Sequence, residues 1–253
     1  MMRRGGYRRE EQRGERAANL FAECQGPYNY VSCVVKAFMG GGWKEEFPQF
    51  SRAAVVHAYN APPPPGVDLK RYVEEVRRAA EGAFKAALYF EFVLETPLTI
   101  HVRWPYLPLE IGVAWHPLFN VPYVPASSLK GALRAAAAGK ICGMEPHEAF
   151  GTVKHEGKLV VFDAYPVEWQ KPVEPDVVTP HYKEVAEEVD ETSASPTPLV
   201  YPVVPAGTKF ALLIGSREDI RGCAAELLNF VESALRRGLG AKTSVGYGVF
   251  RKA

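Results

Sequence analysis

Gly238-Leu239-Gly240-Ala241-Lys242-Thr243-Ser244-Val245-Gly246-Tyr247-Gly248 stands near the end of a chain of 253 residues. Two Gly-apolar-Gly clamps enclose five residues that carry one cation, Lys242, and two hydroxyls, Thr243 and Ser244. Glycine is needed where the backbone takes positive φ, or where another backbone or a ligand comes too close for a Cβ. The spacing predicts a loop whose main-chain N–H groups turn outward, a shape that suits anions. A plainer reading is open on the same residues: Gly238 ends a helix at C′, and the other glycines relax a strand. The stretch is not a Walker A loop, which needs Gly-x-x-x-x-Gly-Lys after a strand and opening a helix. A nucleotide-hydrolysing site is therefore not expected.

Outward from the loop, the chain reads as a βαββαβ unit over 87–253. Leu88 to Thr96 is rich in β-formers and predicts a first strand. Residues 97–124 carry Pro105, Pro108, Pro117 and Pro122 and predict a long folded loop. A helix follows, with Ser127 as its expected N-cap and Gly139 at its end. Leu159 to Ala164 reads as a second strand, and Thr208 to Gly215 as a third. Ser216 and Asp219 look like a capping box for a long helix with Ile220, Ala224, Leu227, Val231, Ala234 and Leu235 on one face. Val245 to Arg251 supplies the fourth strand. Four strands and two helices in this order predict an α+β, ferredoxin-like (RRM-type) sheet. Residues 165–207, proline-rich with an acidic run at Glu184 to Glu191, read as an inserted loop whose composition resists compact packing.

Residues 1–86 read as a helical N-terminal extension. Positions 1–16 hold six arginines against three glutamates and predict a basic arm. Apolar positions between Ala17 and Met39 suggest helix, broken near Gly26-Pro27 and stopped by Gly40. Leu69, Tyr72, Val73, Val76, Ala80 and Phe84 fall at helical spacing after the stiff Pro62 to Pro65 run. The formal charge of +1 excludes a generally basic nucleic-acid binder, so any such surface must be local. Cys24, Cys33, Cys142 and Cys223 show no CxxC spacing. They read as reduced, mostly buried thiols in a cytoplasmic protein, with no metal and no cofactor expected. No apolar run is long enough for a membrane span.

Pro125-Ala126-Ser127-Ser128-Leu129-Lys130-Gly131-Ala132-Leu133-Arg134 is the second informative stretch. A helix N-terminus presents unpaired N–H groups and the positive end of its dipole, which favours phosphate. Lys130 and Arg134 lie four apart on one face and could follow successive phosphates, while Gly131 would let a strand or an RNA backbone approach. The residues alone equally allow a capped surface helix with solvated cations.

Both stretches resemble the RAMP superfamily, the RNA-binding proteins of CRISPR systems. The C-terminal Gly-apolar-Gly, five residues, Gly-apolar-Gly pattern of that family matches Gly238 to Gly248 without a gap. Its Ser-Leu-Lys-Gly-x-x-Arg helix matches Ser128 to Arg134. Asp176-Val177-Val178-Thr179-Pro180-His181-Tyr182, and Pro198-Leu199-Val200-Tyr201 ahead of Gly207-Thr208-Lys209-Phe210, are similar to one subunit type of the Cmr (type III-B) effector complexes. The resemblance covers roughly residues 88–253. It implies binding of guide RNA (crRNA) toward its 3′ end through Ser127, Ser128, Lys130, Arg134, Gly238, Gly240, Lys242, Thr243, Ser244, Gly246 and Gly248. It further implies assembly with other Cmr subunits, indirect contact with target RNA, and convergence of the helix with the glycine loop.

Some members of the family cut precursor guide RNA without metal, using His with Tyr or Lys. His181 beside Tyr182 is the tempting pair, but adjacent residues in an extended segment point opposite ways. They read instead as RNA or subunit contacts. Asp163 and Asp176 read as isolated acids, not as part of a two-metal carboxylate cluster. The expectation is a non-catalytic subunit, with a metal-independent endoribonuclease as the alternative and a pure assembly subunit as a third reading.

Overall fold

The computed structural model describes residues 20–22, 24, 26–41, 43, 46–179 and 198–253. Strand β1 (Ala86–Leu94) is central because its alternate side chains are large and apolar, the pattern that can bury one face of a sheet. It pairs antiparallel with β8 (Lys209–Ser216) on one side and β9 (Phe250–Lys252) on the other. Strand β4 (Leu159–Val161) adds beyond β8, giving the order β4-β8-β1-β9, and β5 (Tyr165–Glu168) also pairs with β8. The register sets Phe92 opposite Phe210, Phe90 opposite Leu212 and Leu94 opposite Phe250.

Helices α4 (Ala126–Ala136) and α6 (Ala224–Leu235) pack on each other and on this face, burying Leu129, Leu133, Leu227 and Val231 against the strand side chains. Each such side chain contributes about 1.5–3 kcal/mol when fully buried. Helix α3 (Leu69–Ala83) covers the opposite face, where Leu69 and Val73 meet Tyr165, Val167 and Ala211. Asp68 caps it by accepting the Arg71 N–H, and its outer side carries ion pairs such as Arg71–Glu75 and Arg77–Glu74. The helix expected at 69–84 is thus present, laid on the sheet.

Helix α1 (Tyr30–Met39) starts at the Asn29 cap and stops at Gly40, after the predicted break. Helix α2 (Phe47–Asn60), for which the sequence pattern predicts no element, buries Phe50, Ala54, Val55 and Ala58 in the same core cluster as the sheet. The loop expected at 97–124 contains a small pairing of β2 (Trp115–His116) with β3 (Val121–Pro122), and α5 (Pro146–Phe150) follows α4.

Several expectations are corrected. Residues 165–207 contain β5 and also a hairpin of β6 (Glu174–Val178) with β7 (Leu199–Val203), packed on α2. Ser216 and Asp219 form no capping box: their side chains accept the Glu218 and Arg221 N–H groups within successive turns. A 3₁₀ turn, Arg221–Cys223, then leads into α6. The last strand begins at Phe250, because Gly246 and Gly248 take positive φ and break the extended run. The cysteines are not free thiols. Cys24 pairs with Cys33 and Cys142 with Cys223, at Cα separations of 6.0 and 5.6 Å, both inside the range a disulfide spans.

Candidate nucleic-acid interface

Helix α4 begins after Pro125, which stands at the N-cap and cannot supply a side-chain cap. Ser127 is therefore the second helical residue, not the cap. The capping oxygen comes from Asp163, whose Oδ1 accepts the Ala126 N–H at 2.6 Å. The Ser128 and Leu129 N–H groups both bond to Pro125 O. A carboxylate thus sits where the sequence reading placed a phosphate. Asp163 is not an isolated acid; it neutralises the positive end of this helix dipole. What remains for an anionic ligand is the side-chain face: Ser127 and Arg134 are exposed, and Lys130 is half-buried. Lys130 also lines an opening of about 250 Å³ together with Ser127, Glu156, Gly157, strand β4 and Arg217. Space for a Cβ on Gly131 is open, so no protein backbone makes the close approach expected there.

The glycine loop takes the conformation its composition demanded. Gly238, Gly240, Gly246 and Gly248 all have positive φ, between 69° and 93°. A Cβ on Gly240 would lie 2.3 Å from Thr99 O, and one on Gly248 would lie 2.0 Å from Leu239 O. Close backbone approach is thus a second reason for glycine at these two positions. The N–H groups, however, point largely inward. Leu239 donates to Gly248 O, Ala241 to Thr99 O and Gly248 to Pro97 O, and Val245, Gly246 and Tyr247 close the local turn. The outward array of donors expected from the spacing is replaced by a tightly fastened loop. Ser244, Val245 and Gly246 form its exposed tip, and Arg237 stands exposed just ahead of Gly238.

Lys242 does not project freely from this loop. It adopts a left-handed conformation (φ 61°), its Nζ donates to Tyr201 Oη at 2.5 Å, and it lies 4.4 Å from the centre of the Tyr201 ring. Tyr201 donates to Asp176 Oδ2 at 2.9 Å, and the Tyr247 hydroxyl donates to the same oxygen. Burial alone would push the Asp176 carboxyl up. Hydrogen bonds from Tyr247, the Val177 N–H and Tyr201, with Lys242 nearby, hold it below the usual carboxylate range. Four side chains from β6, β7 and the glycine loop therefore clamp the loop to the hairpin. Asp176, Tyr201 and Tyr247 carry no local signal of this role; only the fold brings them together.

One segment joins the two predicted stretches. Thr99 bridges to Ala241 of the glycine loop, and two residues on, His101 Nε2 lies 2.9 Å from Ser128 Oγ on α4. The helix and the loop are adjacent through Pro97 to His101. His101 is one of six histidines in the chain, with nothing in its local sequence to single it out. Of the others, His57 stacks on Phe21 and His116 on Phe119, inside aromatic clusters. His181 and Tyr182 lie outside the described residues. Cys142, Cys223 and Glu226 cluster closely, but the two sulfurs are bonded to each other.

Residues 64–251 match the sequence model of the RAMP superfamily, and the chain belongs to that family. The match starts ahead of α3, earlier than the resemblance read from motifs. The chain is 31% identical over 189 residues to the CRISPR system CMR subunit Cmr6 of Saccharolobus solfataricus, covering 73% of this chain and 64% of that relative. It is 36% identical over 110 residues to the CRISPR system Cmr subunit Cmr6 of Pyrococcus furiosus, covering 39% of this chain and 32% of that relative. Its fold is similar to a chain in the cryo-EM structure of the type III-B Cmr-beta bound to cognate target RNA. That likeness has a TM-score of 0.64 and 27% identity, over 87% of this chain and 73% of the other. Among the described residues no helix is long and apolar enough to cross a membrane.

Proposed function

We propose that the chain is a non-catalytic guide-RNA-binding subunit of a type III-B (Cmr) ribonucleoprotein in the cytoplasm. In this reading it caps the guide RNA toward its 3′ end, assembles with other Cmr subunits and meets target RNA only through them. The observation that carries it is the join of α4 to the glycine loop through Thr99–Ala241 and His101–Ser128, which sets two candidate RNA-contacting elements side by side. Similarity to the Cmr6 subunits supports the assignment.

Ser127, Ser128, Lys130 and Arg134 would hold the sugar-phosphate backbone, with the loop from Gly238 to Gly248 beside them. Contacts of that kind position RNA and read little sequence. Lys242, engaged with Tyr201, would act by shaping the loop. His181 and Tyr182 would touch RNA or a neighbouring subunit. The strand order and the all-antiparallel pairing favour a ferredoxin-like reading of the sheet, with residues 1–86 as an extension whose α3 covers one face.

A salt titration of RNA binding tests the proposal. Replacing Lys130 and Arg134 together with Ala should weaken binding to all single-stranded sequences alike. The slope of log affinity against log salt should fall by about 0.7 for each phosphate that the variant no longer neutralises. An unchanged slope would remove this face from the RNA site. Incubation of the protein alone with repeat RNA should leave the RNA uncut; site-specific cutting would favour the endoribonuclease reading.

A further inference from the structure

The segment that joins helix to loop continues into His101-Val102-Arg103-Trp104-Pro105-Tyr106, which none of the RNA-contacting motifs includes. The backbone that leads into it is held from Leu98 to Val102. Leu98 exchanges hydrogen bonds with Val204, Thr99 O accepts from Ala241, Ile100 O from Ala114, and Val102 O from Gly112. His101 adopts φ 53°, a region that non-glycine residues enter at a cost and keep only when the surroundings fix them. Here the Ser128 hydroxyl and the flanking backbone bonds do so.

The exposed side chains of this segment are aromatic and cationic. Trp104 is anchored by its Nε1, which donates to Trp115 O at 3.1 Å. His101 and Tyr106 each meet Trp104 edge to face at a centroid distance of 5.5 Å. Such a contact covers at most one face of a ring. Tyr106 is 56% exposed, a high value for a large aromatic side chain. His101 and Arg103 are also exposed. Arg103 forms no ion pair among the described residues, so its charge is available to a ligand. Exposed rings set against the anchored Trp104, with a cation in the same stretch and Ser128 beside His101, match what single-stranded nucleic acid needs: π faces for bases and positive charge for the backbone.

We infer that His101, Arg103 and Tyr106 form a base-stacking platform, on which a nucleobase of single-stranded RNA lies against Tyr106 or His101 while Arg103 meets a phosphate. This rests on the RNA-binding reading above and adds base contacts to the backbone contacts proposed there. The stacking is tolerant of sequence, because every base has a π face.

The test compares the full chain binding a short dye-labelled oligoadenylate with an abasic oligoribonucleotide of equal length, by fluorescence anisotropy. The parent should prefer the base-bearing strand by roughly 5- to 150-fold, the range expected for stacking of one base. Tyr106→Ala should lose most of that preference, Tyr106→Phe should keep it, and Arg103→Ala should weaken both ligands alike. Tyr106 is exposed enough that its truncation spares the fold, so the test survives even if His101→Ala disturbs the Ser128 contact. Equal binding of both strands by the parent overturns the platform while leaving backbone binding intact. Binding of neither strand overturns the RNA reading together with it. A Tyr106→Ala variant that binds RNA like the parent but no longer assembles with the other subunits assigns the patch to protein contact, and also overturns the inference.

Discussion

Asp163 Oδ1 accepts the Ala126 N–H at 2.6 Å, so the helix bearing Lys130 and Arg134 is capped by a carboxylate 37 residues downstream. Two opposite effects follow from one side chain. Removing a cap of this kind costs about 0.5–2 kcal/mol, so Asp163→Ala should lower stability by that amount in urea unfolding. Asp163→Asn keeps an acceptor while removing the charge, so it should stay nearer the parent. The same change takes a negative charge away from the helix whose side-chain face, with Ser127, Lys130 and Arg134, would meet RNA phosphate. We expect Asp163→Asn to bind RNA more tightly at low salt, with the gain fading as salt rises. Weaker RNA binding by a folded Asp163→Asn would place the RNA elsewhere.

The glycines of the loop divide by what a side chain would meet. Gly246 has positive φ but open space around its missing Cβ, whereas the Cβ of Gly248 would lie on Leu239 O. Gly246→Ala should therefore cost only the left-handed penalty of about 1–2 kcal/mol. Gly248→Ala adds a backbone overlap worth a further ~1–3 kcal/mol. Gly240→Ala, with Thr99 O in the way, belongs with Gly248→Ala. Denaturant midpoints of the three variants check the order. If Gly246→Ala lowered the midpoint most, backbone overlap at Gly240 and Gly248 would not be what requires glycine there.

What the sequence exposed and what it hid differ by the range over which the cause acts. Positive φ at four glycines, the helix from Ala126 and the apolar strand at Ala86–Leu94 are written in neighbouring residues, and their existence was legible. The cap of α4 was not, because Ser127 is the right residue type in nearly the right place and Asp163 is far away in sequence. The β6–β7 hairpin was hidden by Pro175 and Pro202, which ordinarily argue against strands. They face each other in the register, a position where neither residue needs to donate across the ladder. Helix α2 was missed because much of its buried face is alanine, which marks an apolar stripe weakly. The clamp of Lys242 by Tyr201, Asp176 and Tyr247 draws on three stretches of chain that only the fold brings together.

Cysteine spacing misled in the same way. Cys142 and Cys223 lie 81 residues apart, and their bond ties the segment after α4 to the turn before α6. Cys24 and Cys33 are separated by only 9 residues. In the chain-entropy account, a bridge stabilises more when the loop it closes is longer: about 4.5 kcal/mol for the long loop and about 2.5 kcal/mol for the short one. Paired serine replacements at Cys142 and Cys223 should therefore lower the melting temperature more than those at Cys24 and Cys33. Labelling of the unfolded parent with a thiol reagent, with and without reductant, checks that both bridges exist. Four reactive thiols before reduction would remove the basis of this prediction.

Acid should destabilise the protein through two histidines held neutral inside aromatic clusters. Burial lowers the His57 imidazole below its ordinary value of 6.5, despite a backbone hydrogen bond near Cys24 that works the other way. Its Nε2 is buried without a partner among the described residues, so a proton there would stay poorly solvated. Burial also lowers His116, against the opposing pull of the Asp163 carboxylate. His116 Nδ1 accepts the Phe119 N–H at 3.1 Å, a bond that the doubly protonated ring cannot accept. For both groups the unfolded chain binds the proton more readily than the folded one. Stability is then fully present above about pH 6.5 and declines as pH falls through the lower folded values. His57→Phe preserves the stack on Phe21, and His116→Asn offers an acceptor that does not titrate. We expect melting temperatures measured between about pH 7.5 and pH 5 to fall less steeply for the double variant than for the parent. Parallel slopes in parent and variant would show that neither histidine is the acid-sensitive group.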